Sequence, residues 1–103
     1  MSELTFYEIM DRWAAKQSLA DLFLWRTDLS DVNLEGADFS NSNLAHSIFR
    51  KSNLKNVKFV NSDLSNADFT RANLKGANFK GANLEGTIFE EAIIENAIFD
   101  THR

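Results

Sequence analysis

The 103-residue chain contains no cysteine and no proline, and only four of its residues are glycine. Without cysteine it forms no disulfide and offers no thiolate to a metal ion. Without proline, its turns depend on glycine, asparagine and the few other residues that tolerate unusual backbone angles. These absences exclude a disulfide-stabilised domain and point to turns of another kind.

The chain also has little net charge and no long apolar run. Its 11 Lys and Arg residues against 15 Asp and Glu residues give a formal charge of −4, which argues against non-specific attraction to nucleic acid. Glu3 and Glu8 lie where a signal peptide would have a basic start and an unbroken apolar run. We therefore expect a cytoplasmic protein that does not enter a membrane and does not bind nucleic acid.

Histidine is scarce as well, since His46 and His102 are the only two. Neither has a carboxylate or second ligand at a spacing typical of a catalytic or metal site. The sequence also has no glycine-rich loop of the kind that binds phosphate. These observations predict a chain that is not an enzyme and that uses no metal and no cofactor.

What the sequence does contain is a large apolar residue at every fifth position, and a small or compact residue two positions before each. Residues two apart point the same way in an extended chain. Gly or Asn occupies nine of the fifteen turn positions that lie two residues after the large one. A period of five therefore indicates a very short strand followed by a turn, repeated. The large residues are Leu29, Leu34, Phe39, Leu44, Phe49, Leu54, Phe59, Leu64, Phe69, Leu74, Phe79, Leu84, Phe89, Ile94 and Phe99.

The repeated unit resembles the A(D/N)LXX unit of the pentapeptide-repeat family. The resemblance is clearest at residues 37–39 (Ala-Asp-Phe), 67–69 (Ala-Asp-Phe) and 82–84 (Ala-Asn-Leu). It implies an all-β fold, a right-handed quadrilateral parallel β-helix of about four coils over residues 27–101, with four pentapeptides in each coil. Leu and Phe alternate from Leu34 to Phe89, so twenty-residue coils place Phe in two columns on opposite faces, where their rings can stack.

A solenoid exposes its core at both ends and needs caps. Residues 1–26 predict a capping helix and lead-in, with Ser2 as N-cap and an apolar stripe at helical spacing up to about Gln17. Trp13 and Trp25 are interpreted as part of the cap packing, with stacking on a ligand as the alternative. Residues 102–103 are interpreted as a tail. The predicted stripe is Phe6, Ile9, Met10, Trp13 and Ala14.

At the other end, Ile88, Ile93 and Ile98 occupy the outward position that normally holds Asp or Asn. Together with Phe99 they are the candidate interface, because adjacent exposed isoleucines indicate a contact surface. The pattern favours an end-to-end homodimer through the C-terminal coil, which a two-fold interface allows. An unknown protein partner and a local packing variant are the alternatives.

Outward charges recur every twenty residues in the order acid, base, base, acid. This order predicts ion pairs between Asp31 and Lys51, Arg71 and Glu91, Glu35 and Lys55, and Lys75 and Glu95. The bases form a candidate charged surface, which we interpret as self-paired, with a patch that binds an anion or nucleic acid as the alternative. Asn33, Asn53 and Asn73 form one column and predict an amide ladder. The charged surface consists of Arg50, Lys51, Lys55, Arg71 and Lys75.

The function that these features favour is a non-enzymatic protein-interaction or scaffold module that presents the faces and C-terminal coil of a rigid solenoid. The alternative follows from the resemblance, since some pentapeptide-repeat proteins mimic double-stranded DNA and bind topoisomerases. This chain departs from that pattern because it is short and carries bases in its middle.

Overall fold

The structure, a computed structural model, describes residues 4–100. Within them lies one helix, α1 (Phe6–Ala14). Thr5 is the N-cap of α1, since its hydroxyl accepts a hydrogen bond from the Glu8 amide at 3.1 Å. The Glu8 carboxylate in turn accepts one from the Thr5 amide at 2.8 Å, which completes a capping box. Ser2, the predicted N-cap, lies outside the described residues.

Helix α1 ends three residues before the predicted end at Gln17. The backbone turns away because Lys16 adopts a φ of 61° in the left-handed region. Only part of the predicted apolar stripe is covered. Ile9 is buried, Met10 and Trp13 pack against the core, and Phe6 is exposed.

Residues twenty apart are joined by parallel bridges, from Phe23 with Asn43 to Asn78 with Ile98. Each side of the solenoid contributes one bridged residue per coil, so every strand is a single bridge. We define coil 1 as residues 22–41, coil 2 as 42–61, coil 3 as 62–81 and coil 4 as 82–100. The predicted coil of four pentapeptides is present throughout.

The coils begin earlier than the predicted boundary at residue 27. Phe23 already forms a bridge, and the buried Leu19 donates its amide hydrogen to the Asp38 carbonyl at 2.9 Å. Asp21 and Arg26 adopt the positive φ of the repeat turn. Neither is a Gly or Asn, so the turn signal in the sequence was absent there.

The large residues form four inward columns, which we name faces A to D. Face A begins with Leu19 and Phe39, face B with Leu24, face C with Leu29 and face D with Leu34, and each column continues every twenty residues. On face A the rings of Phe39, Phe59 and Phe79 stack at 5.7 and 5.2 Å. The stacking predicted from the Leu-Phe alternation is therefore present.

The two Phe columns also contact each other across the core, which their positions on opposite faces did not indicate. The ring of Phe59 lies edge-on to that of Phe49, with centroids 5.7 Å apart and planes at 75°. It meets Phe69 in the same way at 5.5 Å. Edge-to-face contacts are a favoured arrangement of aromatic rings, so the two columns form one continuous aromatic core.

Four serines among the small inward residues are buried: Ser42, Ser47, Ser52 and Ser62. The hydroxyl of Ser47 donates to the Leu24 carbonyl at 3.1 Å and accepts from the Thr27 amide at 3.2 Å. A buried hydroxyl costs little when it is hydrogen-bonded. Serine is therefore compatible with this core.

Every fifth residue from 16 to 96 has a positive φ, whether or not it is Gly or Asn. Arg71 is an example, and its amide donates to the Glu90 carbonyl of the next coil at 2.9 Å. Hydrogen bonds between coils therefore impose the turn on unfavourable residues. Gly81 has a second role, since a Cβ there would collide with Oδ1 of Asn61, whereas a Cβ on Gly36 would contact nothing within 4 Å.

Candidate functional site

Asp and Asn recur before the large residue because they close the corner of the coil. The Oδ1 atom of Asn73, for example, accepts the amide hydrogen of Lys75 at 3.1 Å. This side-chain turn is the usual reason for Asp and Asn at such positions. It forms at Asp28, Asn33, Asp38, Asn43, Asn53, Asp63, Asp68, Asn73, Asn78 and Asn83.

Three of the four sides of coil 4 lack this side-chain hydrogen bond. Ile88, Ile93 and Ile98 occupy the corner-closing position and have no side-chain acceptor to offer. Their exposed fractions are 45%, 51% and 49%. Because they lie on faces C, D and A of the same coil, they form a ring around it, which we name the isoleucine collar.

The core inside the collar is only partly covered. Ile94 is 49% exposed, whereas Leu74, its counterpart in coil 3, is buried. The amide of Leu74 donates to the Ile93 carbonyl at 2.8 Å. The amide of Ile94 has no such acceptor within residues 4–100. Among the described residues, Ile94 in the centre of coil 4 is therefore half exposed and its amide has no backbone acceptor.

Coil 4 is also uniformly acidic, with five carboxylates and no Lys or Arg between residues 82 and 100. We name these carboxylates the acidic rim. Two are neutralised from coil 3, since Arg71 lies 2.6 Å from Glu91 and Lys75 lies 4.0 Å from Glu95. The rim consists of Glu85, Glu90, Glu91, Glu95 and Asp100.

Asp100 accepts a hydrogen bond from the Gly81 amide at 3.0 Å. Glu85 and Glu90 form no ion pair with any part of the chain that the structure describes. Asp100 is in no ion pair there either, so these three carboxylates are the members of the rim that no described base pairs with.

The candidate charged surface is mostly neutralised by its own neighbours. The predicted pairs of Arg71 with Glu91 and Lys75 with Glu95 are confirmed. The pairs predicted for Lys51 and Lys55 do not form between residues 4 and 100.

In place of the predicted pair with Lys55, Glu35 accepts a hydrogen bond from the Asn53 side-chain amide at 3.4 Å. Asn53 also donates to Asn33 at 3.1 Å, so the first step of the predicted amide ladder is present. Nothing in the structure explains why Asp31 and Lys51 stay apart.

The fifth base, Arg50, forms a pair that was not predicted, at 3.0 Å from Asp68. Burial tends to raise the pKa of Asp68, but hydrogen bonds from the Thr70 side chain and amide, and from Arg50, lower it below its ordinary value of 3.8. Glu91 raises the pKa of Arg71 by its hydrogen bond and its charge. Three of the five candidate bases are thus held in ion pairs.

The two tryptophans differ from each other. Trp13 donates its indole hydrogen to the Glu35 carbonyl at 2.9 Å, in agreement with its interpretation as cap packing. Trp25 is instead exposed on coil 1, where Arg26 lies 5.1 Å from its ring centroid. His46 meets the Trp25 ring edge-on at 6.3 Å, so the interpretation of Trp25 as cap packing is wrong.

No group of three or more His, Asp or Glu side chains within residues 4–100 is arranged to hold a metal ion. His102 lies outside that range. In the described chain no helix has the length and apolar character needed to cross a bilayer. A cytoplasmic location stays a prediction.

Solved structures of similar fold come from plants and cyanobacteria. A pentapeptide repeat protein from the thylakoid lumen of Arabidopsis thaliana matches with a TM-score of 0.62 and 28% identity, over 77% of this chain and 62% of that one. HetL, a pentapeptide repeat protein involved in heterocyst differentiation regulation in the cyanobacterium Nostoc sp. strain PCC 7120, matches with a TM-score of 0.52 and 30% identity. That match covers 91% of this chain and 44% of HetL.

The chain thus spans less than two thirds of the length of either protein. No protein of curated function matches it in sequence. The sequence model described as the pentapeptide repeat region matches residues 23–99, the same residues that form the bridged coils. The chain belongs to the pentapeptide repeat family, whose members form right-handed quadrilateral β-helices.

Proposed function

We propose that the chain is a non-enzymatic protein-binding module and that coil 4 is its contact surface. The isoleucine collar is the observation that carries this proposal. Pentapeptide repeat proteins are in general structural or interaction modules, and a surface function agrees with that. Ile88, Ile93, Ile98 and Phe99 are the proposed contact residues.

The collar contributes little to the fold of the isolated chain. Each isoleucine replaces a residue whose side chain would accept a hydrogen bond from a corner amide, and each remains about half exposed. A side chain that stays half exposed contributes only part of the free energy of full burial to folding. Its exposed part is apolar area that a partner can cover. Three adjacent sides of one coil carry these residues. A partner seated on the end of the solenoid contacts all three, whereas a partner on one side contacts one.

Replacing Ile88, Ile93 and Ile98 together by Asn is expected to leave the chain equally stable or to stabilise it. Each Asn can restore a corner hydrogen bond, for which about 0.5–1.5 kcal/mol is typical. Urea unfolding followed by circular dichroism measures the change. Ile48→Asn is the matched control, because Ile48 occupies the same position in coil 2 on face C, away from the collar.

A loss of more than about 2 kcal/mol in the triple variant would mean that the isoleucines hold the fold together. The proposal of a contact surface would then fail. An unchanged or raised free energy of unfolding supports it, because residues that are dispensable for stability are then free to serve binding.

Mimicry of DNA, the alternative drawn from the resemblance, gains no support from the arrangement of charge. A mimic needs a long acidic face, whereas most carboxylates of the coils here lie in coils 1 and 4, with none in coil 2. Coils 2 and 3 carry Lys51, Lys55 and Lys80 on their outer surface. An interaction through coil 4 therefore remains the function that we propose.

A further inference from the structure

We propose that two copies of the chain associate side by side and antiparallel, along the corner where face B turns into face C. We name this strip the B–C corner. It comprises residues 23–28 of coil 1 and the same positions of the next three coils, 43–48, 63–68 and 83–88. The inference goes beyond the proposed function, because it concerns a side of the solenoid and shares only Ile88 with the proposed contact residues.

The B–C corner carries an aromatic cluster on the outside of coil 1. Phe23 occupies the position that usually holds Asp or Asn, so it offers no side-chain acceptor to close the corner. Its ring lies 6.4 Å from that of Trp25, with planes at 26°, and Trp25 remains 44% exposed. The Arg26 guanidinium lies over the Trp25 ring. Tryptophan and arginine are enriched at protein interfaces, so this cluster is a candidate anchor.

The same corner has the opposite character in coil 4. Glu85 occupies the position that Trp25 holds in coil 1, and Ile88 is 45% exposed three residues later. Neither Glu85 nor Arg26 forms an ion pair within residues 4–100. The strip therefore has a base and an aromatic ring in coil 1, and an acid and an aliphatic side chain in coil 4.

The middle of the strip contains nothing that would keep two copies apart. Ala45 and His46 stand there in coil 2, and Ser65 and Asn66 stand there in coil 3. None of these is Lys, Arg, Asp or Glu, and Ala45 is buried. Two B–C corners can therefore approach each other closely at this level without bringing like charges together.

A two-fold axis fits this arrangement. When the axis lies across the corner between coils 2 and 3, coil 1 of each copy meets coil 4 of the other. A two-fold interface has to be complementary to itself. Here Arg26 of each copy lies beside Glu85 of the other, and Trp25 meets the part of the strip that carries Ile88. Both contacts occur twice, and opposite charges at an interface favour the register that brings them together.

Charge also decides between the possible arrangements of two copies. A parallel pair would set Arg26 against Arg26 and Glu85 against Glu85, and such juxtapositions of like charge are costly. The antiparallel pair avoids both. The end-to-end homodimer predicted from the sequence would instead use Ile93 and Ile98, which lie outside the B–C corner. It is therefore the competing outcome.

The test exchanges the two charges. Arg26→Glu and Glu85→Lys should each weaken self-association at least about tenfold, because each homodimer then brings like charges together twice. In a 1:1 mixture of the two variants, each copy supplies the charge that the other lacks, so both pairs are again opposite. We expect the mixture to associate about as tightly as wild type. Sedimentation equilibrium over a series of concentrations at neutral pH measures all four samples.

The backbone accommodates both substitutions. Glu91 already occupies the turn position equivalent to that of Arg26, with a φ of 57°. Lys55 and Lys75 occupy the position equivalent to that of Glu85 in their own repeats. Circular dichroism of each variant should therefore match that of wild type, and a change in association reports on the contact itself.

Lys51→Glu is the matched control, because it makes the same change of net charge as Arg26→Glu. Lys51 occupies the equivalent turn position, with a φ of 64°, at the corner between faces C and D. This variant should associate as tightly as wild type. A loss as large as that from Arg26→Glu would show an effect of net charge alone and would contradict the inference.

Three results would overturn the antiparallel pair. The first is a wild-type chain that stays monomeric over the whole series of concentrations. The second is a dimer that neither Arg26→Glu nor Glu85→Lys weakens, since the contact would then lie elsewhere. The third is a 1:1 mixture that associates no more tightly than the single variants.

Two further variants separate this inference from the proposed function. Trp25→Ala should weaken self-association at least about tenfold, whereas Ile93→Asn combined with Ile98→Asn should leave it unchanged. The reverse result would favour the end-to-end homodimer and would overturn the B–C corner. A monomeric wild type would leave the proposed function standing, because that function is tested by the stability of the triple isoleucine variant.

Discussion

Replacing Phe59 by Ala is expected to lower the free energy of unfolding by about 3–5 kcal/mol, the usual cost of deleting a buried aromatic side chain. Phe59 is fully buried. Its ring stacks on Phe39 and Phe79 and meets Phe49 and Phe69 edge-on. Its removal therefore opens a cavity in the middle of the aromatic core. Urea unfolding measures the loss.

Phe99→Ala is the matched control, because Phe99 ends the same column. It stacks on Phe79 at 5.0 Å, meets Phe89 edge-on at 6.0 Å and is partly exposed. Its loss should cost less, about 1–2 kcal/mol, since the site can be filled by water. Equal losses at the two positions would contradict a core that is continuous in the middle and open at coil 4.

Replacing Ile9 by Ala is expected to lower the free energy of unfolding by about 2–4 kcal/mol. Ile9 is the buried residue of α1, and a nine-residue helix is too short to persist without packing. We therefore expect α1 to hold its place through this side chain and to cover the first coil. The helical signal in circular dichroism should fall along with stability.

Tyr7 on the same helix provides the comparison, because it is 76% exposed. Tyr7→Ala should change the free energy of unfolding by no more than about 0.5 kcal/mol. A similar loss from both substitutions would mean that α1 is stabilised by its own propensity and does not act as a cap.

The coil could be predicted because its signal is periodic. An inward residue at every fifth position, such as Phe39 or Leu54, has to be large and apolar on all four faces, so the pattern repeats without interruption. The stacking of the Phe columns could be predicted from the same period, since a twenty-residue coil places every fourth large residue on one face. The edge-on contact between Phe49 and Phe59 could not be predicted, because it depends on the width of the core.

The ends of the fold were harder to predict, since local signals are weaker there. Asp21 and Arg26 adopt the turn conformation through hydrogen bonds to the next coil, from their amides to the carbonyls of Ser40 and Ala45. Neither residue is a Gly or Asn, so their side chains do not indicate the positive φ of the turn. The start of α1 depends on the reciprocal bonds between Thr5 and Glu8, which compete with other candidate caps in the sequence.

The candidate site was visible in part. Three successive isoleucines at a position that usually holds Asp or Asn identified Ile88, Ile93 and Ile98. The structure adds that the corner hydrogen bond of Asp and Asn is missing at these three residues. Ion pairs depend on side-chain conformation, and only those of Arg71 and Lys75 were predicted correctly. The acidic rim was readable from the sequence, since residues 82–100 contain no base.

Amide hydrogen exchange tests most directly the proposal that coil 4 is a contact surface. At a dilution that keeps the chain monomeric, Phe89 and Ile94 are compared with Phe69 and Leu74, their counterparts one coil earlier. The amides of Phe69 and Leu74 are hydrogen-bonded to coil 4 at 2.7 and 2.8 Å. Those of Phe89 and Ile94 have no acceptor among the described residues.

Amides that lack hydrogen bonds exchange without waiting for the fold to open. We therefore expect Phe89 and Ile94 to exchange at least about a hundredfold faster than Phe69 and Leu74. Equal protection at all four positions in the monomer would show that coil 4 is already covered, and it would contradict a contact surface there.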